Sequence, residues 1–85
     1  MTTVNLAWLK RGKRRLECLK AVARTEGENV DWVALQAGVS ERALRHHVAA
    51  LKRHGYVYTA RFKYLEVWLT DKGRAAVKEF EKTEI

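Results

Sequence analysis

Within six residues after Ser40 stand Glu41, Arg42, Arg45 and His46, and Lys52 and Arg53 close the same stretch. Arginine brings a planar fork of donors, histidine a ring donor or acceptor, and glutamate an acceptor. Such a set makes directional hydrogen bonds, and its excess of cations suits an anionic partner. Two further basic groups stand apart from it: Lys10, Arg11, Lys13, Arg14 and Arg15, and the pair Arg61 and Lys63. Bond-breaking chemistry has no comparable support. The chain shows no Ser-His-Asp set, no glycine-rich phosphate loop and no paired carboxylates at the start of a cleft, so an enzyme is not expected. His46, His47 and His54 form no metal motif, because neighbours 46 and 47 diverge by about 100° on a helix and no Asp or Cys joins them. Neither metal nor cofactor is expected. Cys18 is the single cysteine, so no internal disulfide can form; beside Leu19 it reads as a small core residue.

The elements that position these groups must fit into 85 residues, which argues for one domain. Hydrophobic residues make up 47% and charged residues 32%, enough apolar surface for one core. The net charge of +7 is uneven: residues 1–70 carry all of it, and residues 71–85 balance four cations against four anions. Clustered cations favour a polyanion, with nucleic acid the natural candidate. No apolar run approaches the roughly 20 residues of a membrane helix. The first nine residues lack basic charge and precede five cations, the reverse of a secretory signal. A soluble cytoplasmic protein with no membrane partner is expected, nucleoid-associated if prokaryotic.

Residues 2–11 read either as a short helix with Asn5 near its start or as an extended arm. Residues 13–25 carry Leu16, Leu19, Val22 and Ala23 at helical spacing, with Gly27 beyond. Asn29–Val30 reads as a short extended link, Asp31 as the cap of a two-turn helix Trp32–Ala37, and Gly38 as its stop. Ser40 caps a longer helix, about 41–53, whose inner face is Leu44, Val48 and Leu51 with His47 alongside. The period then falls to two. Residues 57–60 and 64–69 read as strands, with Leu65, Val67 and Leu69 on one face. Arg61–Lys63 lacks Gly and Asn, so a loop longer than a two-residue turn is expected. Thr70 or Asp71 caps a last helix, about 72–82, with Ala76, Val77 and Phe80 facing inward.

Val30–Val48 is therefore a helix-turn-helix pattern. Val33, Ala37, Val39 and Leu44 fill its apolar positions, and the small Ala34 lets the helices cross closely. A two-strand ribbon follows at once, as a winged helix requires. The segment Ser40-Glu-Arg-Ala-Leu-Arg-His-His-Val-Ala-Ala-Leu-Lys-Arg-His-Gly-Tyr-Val57 resembles the recognition helix of ArsR-type and MarR-type winged-helix transcriptional regulators. Leu69-Thr-Asp-Lys-Gly73 is similar to the motif that closes their wing, and Gly12-Lys-Arg-Arg-Leu-Glu-Cys-Leu19 to their first-helix entry. The resemblance spans about residues 12–82. It implies a mainly α fold with a small antiparallel β-wing, in the order α-α-α-β-β-α. It also implies sequence-specific binding of double-stranded DNA, usually as a homodimer. The Cys pair of the metal-sensing ArsR members is absent here, and Trp32 and Leu35 stand where the family is normally polar.

On this reading residues 12–85 form the DNA-binding domain, and residues 1–11 an N-terminal helix or dimerisation arm. Glu41, Arg42, Arg45 and His46 are the candidates for base contact in the major groove, since the first turns of a recognition helix reach base edges. Ser40, Lys52, Arg53, Arg61, Lys63, Lys13, Arg14 and Arg15 are candidates for the DNA backbone. Val4, Leu6, Trp8, Leu9, Trp32, Leu35, Val77 and Phe80 are candidates for a homodimer contact. No small-molecule effector is evident. Two alternatives stay open. One is a winged helix that binds protein; the other is an RNA or single-strand binder using the aromatic segment Tyr56, Tyr58, Phe62, Tyr64 and Trp68.

Overall fold

The computed structural model describes residues 6–83, and the side chains of residues 7–81. Helix α1 runs Leu6–Arg11, α2 Lys13–Arg24, α3 Val30–Ala37 and α4 Glu41–Arg53. Strands β1 (Val57–Arg61) and β2 (Leu65–Leu69) follow, and α5 (Asp71–Thr83) closes the chain. The N-terminal segment takes the helical alternative from residue 6 onward; Asn5 lies outside the described residues. Gly12 separates α1 from α2 without ending their contact, because Leu9 is fully buried in the common core.

Helix α2 lies at the centre and packs against every other helix and against β2. Its buried stripe is Cys18, Leu19, Ala21 and Val22, the face that three- and four-residue spacing marks out, while Leu16 and Ala23 are only partly covered. At the end of α2 the buried Thr25 donates its hydroxyl to the Ala21 carbonyl at 2.7 Å, so its burial leaves no hydroxyl donor unmet.

One cap differs from the sequence expectation. Asn29, not Asp31, caps α3: its side chain accepts from the Asp31 backbone N–H at 3.2 Å, and the helix starts at Val30. Both residues are good caps, so local preference alone does not choose between them. Asn29 is fixed by a second constraint, an isolated antiparallel bridge to Glu66 of β2. Helix α3 ends at Gly38 in the left-handed region, φ 71°, as the turn requires. Ser40 then caps α4 by accepting from Ala43 N–H at 3.1 Å.

The two strands form an antiparallel ribbon with Val57 opposite Leu69 and Arg61 opposite Leu65. Three residues, Phe62, Lys63 and Tyr64, make the tip, where Phe62 N–H donates to the Tyr64 carbonyl at 3.3 Å. The base of the ribbon is pinned to the end of α4. Thr70 N–H donates to the Tyr56 carbonyl at 3.1 Å, and Thr70 Oγ1 donates to the Gly55 carbonyl at 2.6 Å while accepting from Gly73 N–H at 3.0 Å. Thr70 is thus the cap of α5 and the clasp between wing and helix. A Cβ on Gly73 would sit 2.1 Å from the Tyr56 oxygen, which is the physical reason for a glycine at the end of Leu69-Thr-Asp-Lys-Gly73.

Candidate nucleic-acid interface

Helix α4 buries Leu44, Val48 and Leu51 and exposes Glu41, Arg42, Arg45, His46, Ala49, Lys52 and Arg53. Burial of one stripe of a helix fixes the direction of the other. The four base-contact candidates therefore share one open face near the N-terminal end of α4. His47 lies at the margin, half-buried, with its ring 5.9 Å from that of His46. Burial pulls its pKa below the ordinary histidine value, and the charges of His46, Arg15 and Arg14 add to that.

Arg45 is already engaged. Its Nε and Nη2 donate to Glu41 Oε1 at 3.1 and 2.8 Å, one helical turn away. The Arg45 guanidinium, together with a hydrogen bond shared with Asp31 of α3, holds Glu41 below the usual carboxylate range. The same hydrogen bond, and the charge of Glu41, push Asp31 up. Glu41 thus holds an arginine on the open face, a contact beyond the base contact that sequence alone suggests.

The backbone candidates divide. Lys13 and Arg14 are exposed at the start of α2, and Arg61 and Lys63 are exposed at the wing tip. Lys52 donates to Thr59 Oγ1 at 3.1 Å and so ties α4 to β1. Arg53 is exposed, and the Ser40 hydroxyl is occupied with its cap. Arg15 is half-buried and engaged within the chain. Its guanidinium lies 4.1 Å from the centre of the Trp8 ring and donates to the Trp8 carbonyl. A cation drawn over an indole face in this way is held by the ring quadrupole.

The dimer candidates divide as well. Leu9, Val77 and Phe80 are buried in the chain's own core, so their side chains present no free surface, in contrast to the sequence expectation. Helical spacing marks an apolar face but cannot say whether the same chain covers it. Trp8 is half-buried, stacked on His54 at 3.7 Å and parallel to Tyr56 at 5.9 Å. Trp32 and Leu35 of α3 are exposed, at 47% and 66%. Val4 and the Leu6 side chain lie outside the described residues.

One feature was not visible in the sequence. Between α4 and the wing lies an open groove of about 250 Å³, lined by Val30, Arg45, Val48, Ala49, Lys52, Thr59 and Leu65. Its walls come from four separate elements, α3, α4, β1 and β2, so no local pattern announces it. Among the described residues no three His, Cys, Asp or Glu side chains come together as a metal site, and no helix is long and apolar enough to cross a membrane.

No protein-family model matches the chain, and no curated protein matches it significantly. Solved structures do. Rv1404 from Mycobacterium tuberculosis is 20% identical with a TM-score of 0.76, covering 93% of this chain and 60% of that one. The MarR family protein Rv2887 from the same organism is 28% identical with a TM-score of 0.66, covering 81% of this chain and 50% of that one. TubR from Bacillus thuringiensis serovar israelensis, solved bound to 24 bp of tubC, is 22% identical with a TM-score of 0.76 and covers 98% of this chain and 99% of its own. The chain spans only 60% of the length of Rv1404 and 50% of that of Rv2887. MarR-family transcription regulators are among the neighbours, and the chain has the winged-helix fold that they share.

Proposed function

We propose that the chain binds double-stranded DNA sequence-specifically, with α4 in the major groove and the wing on the flanking backbone or minor groove, and regulates transcription as a homodimer. The observation that carries this reading is the division of α4. Leu44, Val48 and Leu51 are sealed in the core, and Arg42, Arg45 and His46 stand together on the open side. The DNA-bound structure of a neighbour of nearly equal length supports it. Arg42, Arg45 and His46 supply donors suited to guanine O6 and N7, with Glu41 holding Arg45 in place. Lys13, Arg14, Lys52, Arg53, Arg61 and Lys63 neutralise phosphates. Trp32 and Leu35 are the exposed apolar residues that a second copy would cover.

Fluorescence anisotropy with a labelled duplex tests this. The logarithm of the affinity should fall linearly with the logarithm of salt, with a slope of about −0.9 per phosphate neutralised. Arg45→Ala should relax base preference at a cost of roughly 1–3 kcal/mol, whereas Lys63→Ala should weaken all sequences alike. Equal behaviour of the two variants would overturn this division of contacts. Light scattering tests the homodimer: a monomer at every concentration would remove it from the proposal.

A further inference from the structure

Phe62 at the wing tip is 84% exposed, more than any other large hydrophobic side chain among the described residues. Single exposed hydrophobics are ordinary; the position of this one is not. It is flanked in sequence by Arg61 and Lys63, both exposed, and it sits where the ribbon ends, one residue past the last ladder pair of Arg61 and Leu65. The hydrogen bond from Phe62 N–H to the Tyr64 carbonyl closes the tip and presents the ring on a short, constrained loop.

We infer that Phe62 is a wedge that enters the minor groove of duplex DNA, parts a base step and bends the duplex, with Arg61 and Lys63 anchoring the phosphates on either side. This rests on the DNA reading above and adds an activity to it. Inserted apolar side chains that unstack a step are a known way to kink DNA. Dimensions favour the tip. The minor groove is about 6 Å wide, and strands lie about 4.8 Å apart before their side chains are added. The body of the ribbon is therefore too broad to enter, whereas one ring on a three-residue loop is not. The reach also fits. Lys52 of α4 fixes Thr59, and three residues of strand carry the chain about 10 Å further to Phe62. A helix seated in the major groove thus projects the tip beyond its own contact.

The charge pattern selects the partner. Two cations beside an apolar ring match a base step between two phosphate backbones. A platform for several unpaired bases is less well matched, because two of the ribbon's aromatics are taken up with each other across the strands. Tyr58 pairs with Trp68 across the strands, their rings 6.4 Å apart and within 10° of parallel.

The test uses the full chain and a mixed-sequence duplex of about 30 base pairs containing TA steps, labelled at its ends with a donor and an acceptor fluorophore. Saturating wild-type protein should raise energy transfer, reporting a bend within about 20–90°. Phe62→Ala should bind about tenfold more weakly and leave the duplex straight at saturation, while Phe62→Leu, still an apolar wedge, should restore most of the bend. Unchanged thermal melting of both variants shows that the fold is intact. Binding without bending by the wild type, or a full bend by Phe62→Ala, overturns the wedge and leaves the DNA reading standing. Preference for a single strand of the same sequence overturns it in favour of unpaired bases. No duplex binding by the wild type overturns the DNA reading itself.

Discussion

Gly73→Ala is the sharpest test of how the wing is held against α4. The added Cβ would lie 2.1 Å from the Tyr56 oxygen, 3.1 Å from its carbon and 3.2 Å from Leu69 Cδ2. Relief needs a backbone shift of about 1 Å between the start of α5 and the Gly55–Tyr56 turn, because unbonded carbon and oxygen rest beyond 3 Å. That shift must strain the Thr70 N–H bond to Tyr56 or the Thr70 Oγ1 bond to Gly55. Overpacking costs about 1–3 kcal/mol, and a weakened hydrogen bond about 1 kcal/mol more. Alanine returns up to about 1 kcal/mol in helix propensity. With that gain taken in full the net loss is about 1–3 kcal/mol, a fall in Tm of roughly 5–20 °C for a domain this small. Gly38→Ala is the control. Nothing lies within 4 Å of its added Cβ, so only its left-handed φ of 71° matters, at about 1–2 kcal/mol. Urea unfolding of both variants measures the difference. A Gly73→Ala protein as stable as the wild type would refute the steric account of the clasp.

Three further outcomes follow from the same geometry. The Cys18 thiol is pushed up to about 11, first by burial and then by Glu17, so it should resist alkylation near pH 8 in the folded protein and react once unfolded. Its unfolded pKa is lower, near 9.0, so the contribution of the neutral thiol is intact below that value and is lost towards about pH 11, by up to about 3 kcal/mol. Cys18→Ala should lack this decline. His47 behaves in the opposite sense: its folded pKa is lowered, so stability is full above its unfolded value of about 6.5 and falls as pH drops through the folded one. Urea midpoints across that range should fall more in the wild type than in His47→Gln. Glu41→Gln removes the carboxylate that holds Arg45. Affinity for unrelated duplexes should rise several-fold, with a smaller gap between preferred and unrelated sequences; an unchanged gap would deny Glu41 any orienting role.

Much of this was legible in the residue order. The inner faces of α4 and β2 follow from spacing alone, because Leu44, Val48 and Leu51 recur with the helical period and Leu65, Val67 and Leu69 with the strand period. The absence of Gly and Asn at Arg61–Lys63 points to a tip longer than two residues, and Phe62, Lys63 and Tyr64 make it three. What failed depended on contacts between distant segments. Asn29 outcompetes Asp31 as a cap because β2 holds it through Glu66. Leu9, Val77 and Phe80 are apolar on a helix face in either case, and only the packed chain shows that the face is already covered. Arg15 sits in a basic run like Lys13 and Arg14, yet it is half-buried against Trp8 of the preceding helix, a contact that charge counting does not show. The pairing of Glu41 with Arg45 has the right i,i+4 spacing to have been found. Net charge alone does not reveal it, because a count of charges says nothing of which of them pair.

The central claim is that the open face of α4 reads duplex DNA. The most direct measurement is selection of bound duplexes from a random pool by the full chain, repeated with the Arg42→Ala, Arg45→Ala double variant. The account predicts one enriched motif for the wild type and loss of that enrichment in the variant. Equal recovery of all sequences by the wild type, or the same motif from both proteins, would contradict it.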